Sequence, residues 1–153
     1  MAPSLRFLAV TALVSFAACR AAPVLVVTPA PVTPEATVTA FLAAVDSNAT
    51  DRLAALFGTD RGPVVYRDAQ EQELRIGIMR LMLRHDAFQF VPAPGPAVVR
   101  EGRRVLYVEL TRDGHRATVP FTVVALRSGG WLVTDIGLLA AMPIANPRRQ
   151  SPP

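Results

Sequence analysis

The hydrophobic pattern of the chain changes its period near residue 87. Before this point, apolar residues recur every three to four positions, which predicts amphipathic helices. After it they alternate with polar residues, which predicts strands. The order predicts an α+β fold with N-terminal helices on a curved antiparallel sheet. We assign this domain to residues 34–142.

The opening helix has the clearest boundaries. Thr33 suits the N-cap, Pro34 suits the first helical position, where its missing N–H costs nothing, and Glu35 suits the positive end of the helix dipole. Positions i, i+3, i+4 and i+7 form an apolar face, which predicts burial. These residues are Val38, Phe41, Leu42 and Val45.

Two further helices are expected before the strands. The second is short, with Leu53, Leu56 and Phe57 on its buried side and Gly58 ending it. The third begins at Asp68 and Glu71, which have capping-box spacing, and runs to about His85. Its predicted buried side carries four apolar residues. They are Leu74, Ile78, Leu81 and Met82.

The second half of the domain is predicted to be a meander of strands. Asp113-Gly114 is the strongest hairpin turn, and Ser128-Gly129-Gly130 is a second turn. Strands are expected at residues 88–90, 97–100, 103–111, 116–126 and 131–137. Residues 143–153 are rich in proline and are predicted to be a disordered tail.

The N-terminus predicts export. Residues 1–18 have an early Arg6 and an apolar run that is too short to span a bilayer, as in a signal peptide. The sequence Phe16-Ala17-Ala18-Cys19 resembles the lipobox of bacterial lipoproteins, whose cysteine is acylated after cleavage. Phe16 departs from the leucine usual in that motif. An ordinary secretory signal cut nearby is the alternative.

The lone cysteine fits the lipoprotein interpretation, because an exported chain with one thiol forms no internal disulfide. Residues 19–33 would then be the lipidated cysteine and a proline-rich linker. Arg20, where an aspartate is lacking, resembles an outer-membrane destination in double-membraned bacteria. The expected partner is therefore a membrane, reached through the lipid anchor.

Composition argues against nucleic-acid binding. The net charge is +4, every basic residue except the two histidines is arginine, and the arginines are scattered among acidic neighbours. Nucleic-acid-binding proteins concentrate basic residues in a patch with stacking aromatics.

The stretch 33–137 resembles the cone-shaped superfamily of nuclear transport factor 2. The residues that carry the resemblance are Thr33-Pro34-Glu35, Phe41-Leu42-Ala43-Ala44, Asp51 to Phe57, and Gly130-Trp131. The resemblance implies a cavity between sheet and helices. It does not imply one chemistry, because members of this fold have unrelated activities.

One member of that superfamily, ketosteroid isomerase, uses a carboxylate base and an oxyanion hole of a tyrosine and a protonated acid. On alignment with this chain, the tyrosine position falls on Phe41, the base near Val65, and the second donor near Thr122 or Val123. None of these side chains supplies the required group, which argues against that chemistry.

Four residues remain as weak catalytic candidates. His85 lies next to Asp86, which could tune an imidazole for acid–base work; the alternative is a histidine that contacts free helix-terminal carbonyls. Tyr107 and Glu109 alternate along one strand face, and Asp135 is expected to share a face with Trp131 and Val133.

The alternative for the strand residues is a sheet face that is simply exposed. His115, beside a hairpin turn, is expected to be solvated, so no metal site is predicted. No cofactor is predicted either.

The leading hypothesis is therefore a non-catalytic envelope domain that binds a small apolar ligand or a protein. The protein partner could be a second copy of the chain, bound through the open face of the sheet. The competing hypothesis is an isomerase, dehydratase or hydrolase that uses the four candidates. A purely structural lipoprotein would instead have its cavity filled by phenylalanines. They are Phe41, Phe57, Phe88, Phe90 and Phe121.

Overall fold

The computed structural model describes residues 29–95 and 102–147. Several predicted features lie outside the described residues. They are the signal peptide, Cys19, the linker up to residue 28, the strand at 97–100 and the tail from residue 148. The helices of the described residues are α1 (Pro34–Asp46), α2 (Thr50–Leu56), α3 (Ala69–Leu83), a 3-10 helix (Leu138–Ala141) and α4 (Met142–Ala145). The strands are β1 (Gly58–Thr59), β2 (Gly62–Pro63), β3 (Ala87–Val91), β4 (Arg103–Arg112), β5 (His115–Ala125) and β6 (Trp131–Ile136).

The main sheet is the predicted antiparallel meander, in the order β3-β4-β5-β6. The β4–β5 hairpin turns at Asp113 and Gly114, which have φ of 49° and 78°, the positive values that this turn requires. Strands β1 and β2 form a separate small hairpin after α2. The prediction of an α+β domain with an antiparallel sheet is confirmed.

Helix α1 forms as its sequence predicts. The Thr33 side chain accepts a hydrogen bond from the Ala36 N–H at 3.1 Å, and Pro34 occupies the first turn. All four residues of the predicted apolar face are at most 1% exposed. Capping and periodicity agree here, so local sequence and tertiary packing favour the same helix.

The helices cover one face of the sheet, and the core lies between them. Along β5, Ala117, Val119, Phe121 and Val123 are buried, while Thr118 between them is exposed. The rings of Phe41 and Phe121 meet edge to face with centroids 6.3 Å apart. We call this side of the sheet the inner face and the opposite side the outer face.

The predicted orientation of α3 was wrong. Leu74, Ile78 and Leu81 are 65%, 48% and 62% exposed; of the predicted set only Met82 packs partly against the core. The buried residues of α3 are instead Ile76, Met79 and Leu83. This helix is apolar on two opposite sides, so periodicity alone could not choose the buried one.

The end of α2 agrees with the prediction, whereas the C-terminal end of the domain does not. Helix α2 ends at Leu56 with Phe57 as its C-cap, so it stops before Gly58 as predicted; Gly58 itself lies in β1, where an added Cβ would meet the Gly62 carbonyl oxygen. The loose tail predicted from Pro143 was wrong for residues 143–147. Met142–Ala145 form α4, and Ile144 is 1% exposed within the core.

Candidate functional site

His85 lies just beyond the end of α3 and joins three elements. Its Nδ1 is 2.9 Å from the Leu83 carbonyl oxygen and 3.6 Å from Oδ1 of Asp46, at the end of α1. Its ring meets Phe88 of β3 edge to face, and the side chain is 2% exposed. A carbonyl oxygen only accepts, so the contact with Leu83 requires a proton on Nδ1. The geometry is that of a histidine contacting a helix-terminal carbonyl.

Asp86 does not serve as the partner of His85. Its Oδ2 accepts a hydrogen bond from the backbone N–H of Asp113 at 2.8 Å, and its own N–H donates to the Thr111 carbonyl at 2.7 Å. Asp86 therefore fastens the β4–β5 turn to the α3–β3 junction. The predicted pairing of neighbours in sequence was wrong, and the carboxylate beside His85 comes from α1 instead.

Tyr107 and Glu109 lie together on the outer face of β4, as their alternation predicts. Oε1 of Glu109 accepts from Nε2 of Gln89 at 2.9 Å across the β3–β4 pair and is 3.6 Å from Nη1 of Arg116. The carboxylate is thus paired with a neutral donor and a cation on adjacent strands. Cross-strand pairs of this kind stabilise a sheet, and they account for Glu109 without a catalytic role.

Asp135 does not share a face with Val133, because the β5–β6 pair contains a bulge. Val133 pairs with Val123, whereas Asp135 pairs with Thr122, so Thr134 is an extra residue on β6. The extra residue breaks the alternation, so Val133 is buried and Asp135 is exposed. The predicted common face of Trp131, Val133 and Asp135 was therefore wrong.

The four candidates do not converge on one cavity. His85 is packed among the helices, whereas Tyr107, Glu109 and Asp135 lie on the outer face of the sheet. Among the described residues, no hydrogen bond or ion pair joins any two of the four. Residues 29–95 and 102–147 also contain no cluster of three metal-ligating side chains, and His115 is exposed at the start of β5.

The phenylalanines of the structural hypothesis lie mostly in the core. Phe41 and Phe121 are fully buried, and Phe57 and Phe88 pack partly buried against the cluster. Phe90, at the edge strand β3, is 40% exposed and contacts Phe88 edge to face at 6.1 Å. Four of the five phenylalanines therefore belong to the core or pack against it.

Tyr66 carries a buried hydroxyl group and was not among the candidate residues predicted from the sequence. Its hydroxyl is buried and has no hydrogen-bond partner in the part of the chain that the structure describes. Burial raises the pKa of the phenol, and the nearby Arg75 guanidinium opposes this rise. The sequence carries no signal for it, because Val64, Val65 and Tyr66 show no alternation of apolar and polar residues, and only the structure shows that Val65 points outward at 93% exposure.

A shallow open groove of about 380 Å³ lies where β4 begins and β5 ends. Its charged residues include Arg103, Asp60 and Arg127. Nε and Nη2 of Arg127 are both 3.0 Å from Oδ2 of Asp60. This exposed ion pair compensates the charge of one of the two arginines that line the groove.

Two further properties of interest are the capacity of the helices to span a membrane and the similarity of the chain to known proteins. Among the helices of residues 29–95 and 102–147, none has both the length and the apolar character needed to cross a bilayer. A comparison with models of protein families found no match, and a search of curated proteins found no similar sequence.

Proposed function

We propose that this chain is an exported lipoprotein of the bacterial envelope whose α+β domain binds a partner through its surface and performs no catalysis. The observation that carries the proposal is the single cysteine, Cys19, directly after an apolar run and small residues. The thiol at that position is the acylation site, and residues 1–18 are the leader.

The boundary between linker and domain supports an anchored arrangement. Ordered structure includes Pro31, whose carbonyl oxygen accepts a hydrogen bond from the Trp131 N–H at 2.9 Å, and α1 begins three residues later. Only nine residues lie between Cys19 and Pro29. A domain on so short a tether stays close to the membrane surface.

The packed interior supports binding at the surface. Phe41 and Phe121 meet between α1 and β5, where a ligand cavity would otherwise lie. The outer face of the sheet instead offers Val105, at 39% exposure, beside the half-buried Tyr107. Apolar and aromatic side chains on an uncovered sheet face suit a protein partner, which we propose to be a second copy of the chain or another envelope protein.

We also propose that the domain has the cone-like form of the nuclear transport factor 2 superfamily. The order of α1, α2 and α3 followed by the β3-β4-β5-β6 meander supports this assignment. The resemblance concerns the fold, so it adds no substrate.

Membrane fractionation and intact mass of the chain expressed with its own leader test the anchor. We expect wild type to be membrane-bound and to carry acyl mass, and Cys19→Ala to lose both. Phe16→Leu is the matched control, because it restores the usual lipobox residue and should leave acylation intact. A soluble, unacylated wild-type product refutes the anchor.

Sedimentation of Tyr107→Arg tests the outer face. We expect the substitution to abolish self-association or partner capture, because it places a charge at the centre of the proposed contact. Ala55→Arg, at an exposed position of α2 and therefore away from the outer face, measures the effect of added charge alone. Equal behaviour of both variants and wild type would remove Tyr107 from the interface.

A further inference from the structure

The outward side of α3 is an apolar surface with no partner among the described residues. Leu74, Ile78 and Leu81 stand at i, i+4 and i+7, which places them on one side of the helix. All three are about half exposed or more. We call these three residues the α3 stripe. The core-facing residues Ile76, Met79 and Leu83 lie on the opposite side, so the stripe faces away from the sheet.

We propose that the α3 stripe lies against the lipid bilayer that holds the anchor, an inference that rests on the proposed lipoprotein function. The domain would then have a fixed orientation, with α3 on the membrane and the outer face of the sheet turned away from it. An apolar stripe bordered by arginines is the pattern of helices that lie in a membrane interface.

The charges beside the stripe favour a lipid surface. By helical position, Arg84 and Glu73 border it on one side, and Arg75, at 61% exposure, borders it on the other. Oε1 of Glu73 is 3.7 Å from Nη2 of Arg80. The acid closest to the stripe, Glu71, is held in ion pairs with Arg67 and Arg75 at 3.1 Å each, so its charge is compensated. Exposed guanidinium groups next to an aliphatic stripe complement the phosphates of anionic lipids.

The length of chain between anchor and domain permits this contact. The ten residue-to-residue steps from Cys19 to Pro29 reach about 33 Å when extended. The start of α1 adjoins Trp131, and its end adjoins His85, just beyond α3. These contacts are made by Thr37 and Asp46, nine residues apart, so they are about 14 Å apart along the axis of α1. The tether therefore reaches from the bilayer surface past α1 to its attachment while α3 rests on the lipid.

The size of the stripe also favours a membrane over a second copy of the chain. Three aliphatic side chains offer far less than the roughly 800 Å² per partner that a stable protein interface buries. A tethered domain needs only a weak contact, because a short linker gives the surface an effective concentration in the millimolar range.

Tryptophan quenching by lipids tests the orientation. Leu81→Trp places an indole in the stripe, and Thr118→Trp places one on the exposed outer face as the matched control; both retain the native Trp131 as background. The acylated full chain would be reconstituted into vesicles of phosphatidylethanolamine and phosphatidylglycerol with brominated acyl chains. We expect several-fold stronger quenching for Leu81→Trp, with a blue shift of its emission.

A second substitution separates contact from mere proximity. Adding Ile78→Glu to Leu81→Trp should reduce quenching to the level of the control, while acyl mass and circular dichroism stay unchanged. Equal quenching of Leu81→Trp and Thr118→Trp overturns the proposal. It is also overturned if the indole at position 81 shifts to the blue without quenching and crosslinking reveals a dimer.

The mass spectrum shows whether a negative result refutes the membrane orientation of α3 alone or the lipoprotein proposal as well. An acylated chain whose stripe is not quenched refutes the orientation and leaves the lipoprotein proposal standing. A chain without acyl mass refutes the proposed function, and the membrane orientation with it.

Discussion

The two isoleucines of α3 offer a matched test of the structure. Ile76 is 0% exposed and Ile78 is 48% exposed, in the same helix and two positions apart. Ile76→Ala removes buried methyl groups and leaves a cavity, so we expect a loss of about 2–5 kcal/mol. Ile78→Ala removes methyl groups that are already about half exposed, so little hydrophobic transfer free energy is lost, and alanine favours the helix more than isoleucine does. We therefore expect a loss of stability of about 1 kcal/mol or less.

Equilibrium unfolding in urea measures this difference, with Cys19→Ala as the common background of both variants. A loss of about 3 kcal/mol lowers the midpoint by roughly 1–3 M at the slopes usual for small domains. The slope itself should stay constant in both variants. Equal losses, or a larger loss for Ile78→Ala, would mean that α3 buries its other side and would refute both its orientation and the α3 stripe.

Three further outcomes are expected from the same unfolding assay. Gly58→Ala should destabilise the domain by about 1–3 kcal/mol, because the new methyl group meets the Gly62 carbonyl in the β1–β2 hairpin, and unchanged stability would contradict that contact. Gly77→Ala, with open space in mid-helix, should stabilise it by about 0.5–1 kcal/mol, and a loss would mean that the site is covered. Hydrogen bonds from the Arg67 backbone N–H and side chain lower the pKa of Glu71, so its stabilising contribution is present above the unfolded pKa of about 4.3 and is lost as pH falls through the folded value. Glu71→Gln should therefore weaken the acid dependence of stability, and an unchanged pH profile would exclude this role.

The parts of the fold that the sequence predicted correctly are those in which several local signals agree. In α1, cap, proline, first-turn acid and apolar period all indicate the same helix, and in the β4–β5 hairpin Asp113-Gly114 has the required positive φ. In α3, Asp68 accepts the Glu71 N–H at 2.8 Å as the capping spacing predicts. Glu71 differs from a regular capping box, since it reaches back to the Arg67 N–H.

The predictions that failed concern features determined by contacts between residues far apart in the sequence. The apolar residues of α3 fit two faces, and only packing against α1, α2 and α4 selects Ile76. The face of Asp135 depends on a bulge opposite Thr122, and no local residue pattern marks an extra residue in a strand. Asp46 lies 39 positions before His85, so sequence proximity favoured Asp86 as the partner instead.

The contact between Pro31 and Trp131 has a mechanical consequence. Any pull on an anchored N-terminus meets the hydrogen bond from the Trp131 N–H before it reaches α1, so the load enters the fold at β6. Gly130, at φ +84°, has Ala30 within 2.8 Å of the place a Cβ would occupy, which lets the two segments lie in close contact. Under the proposed anchoring, β6 bears the load first and α1 keeps its place in the core.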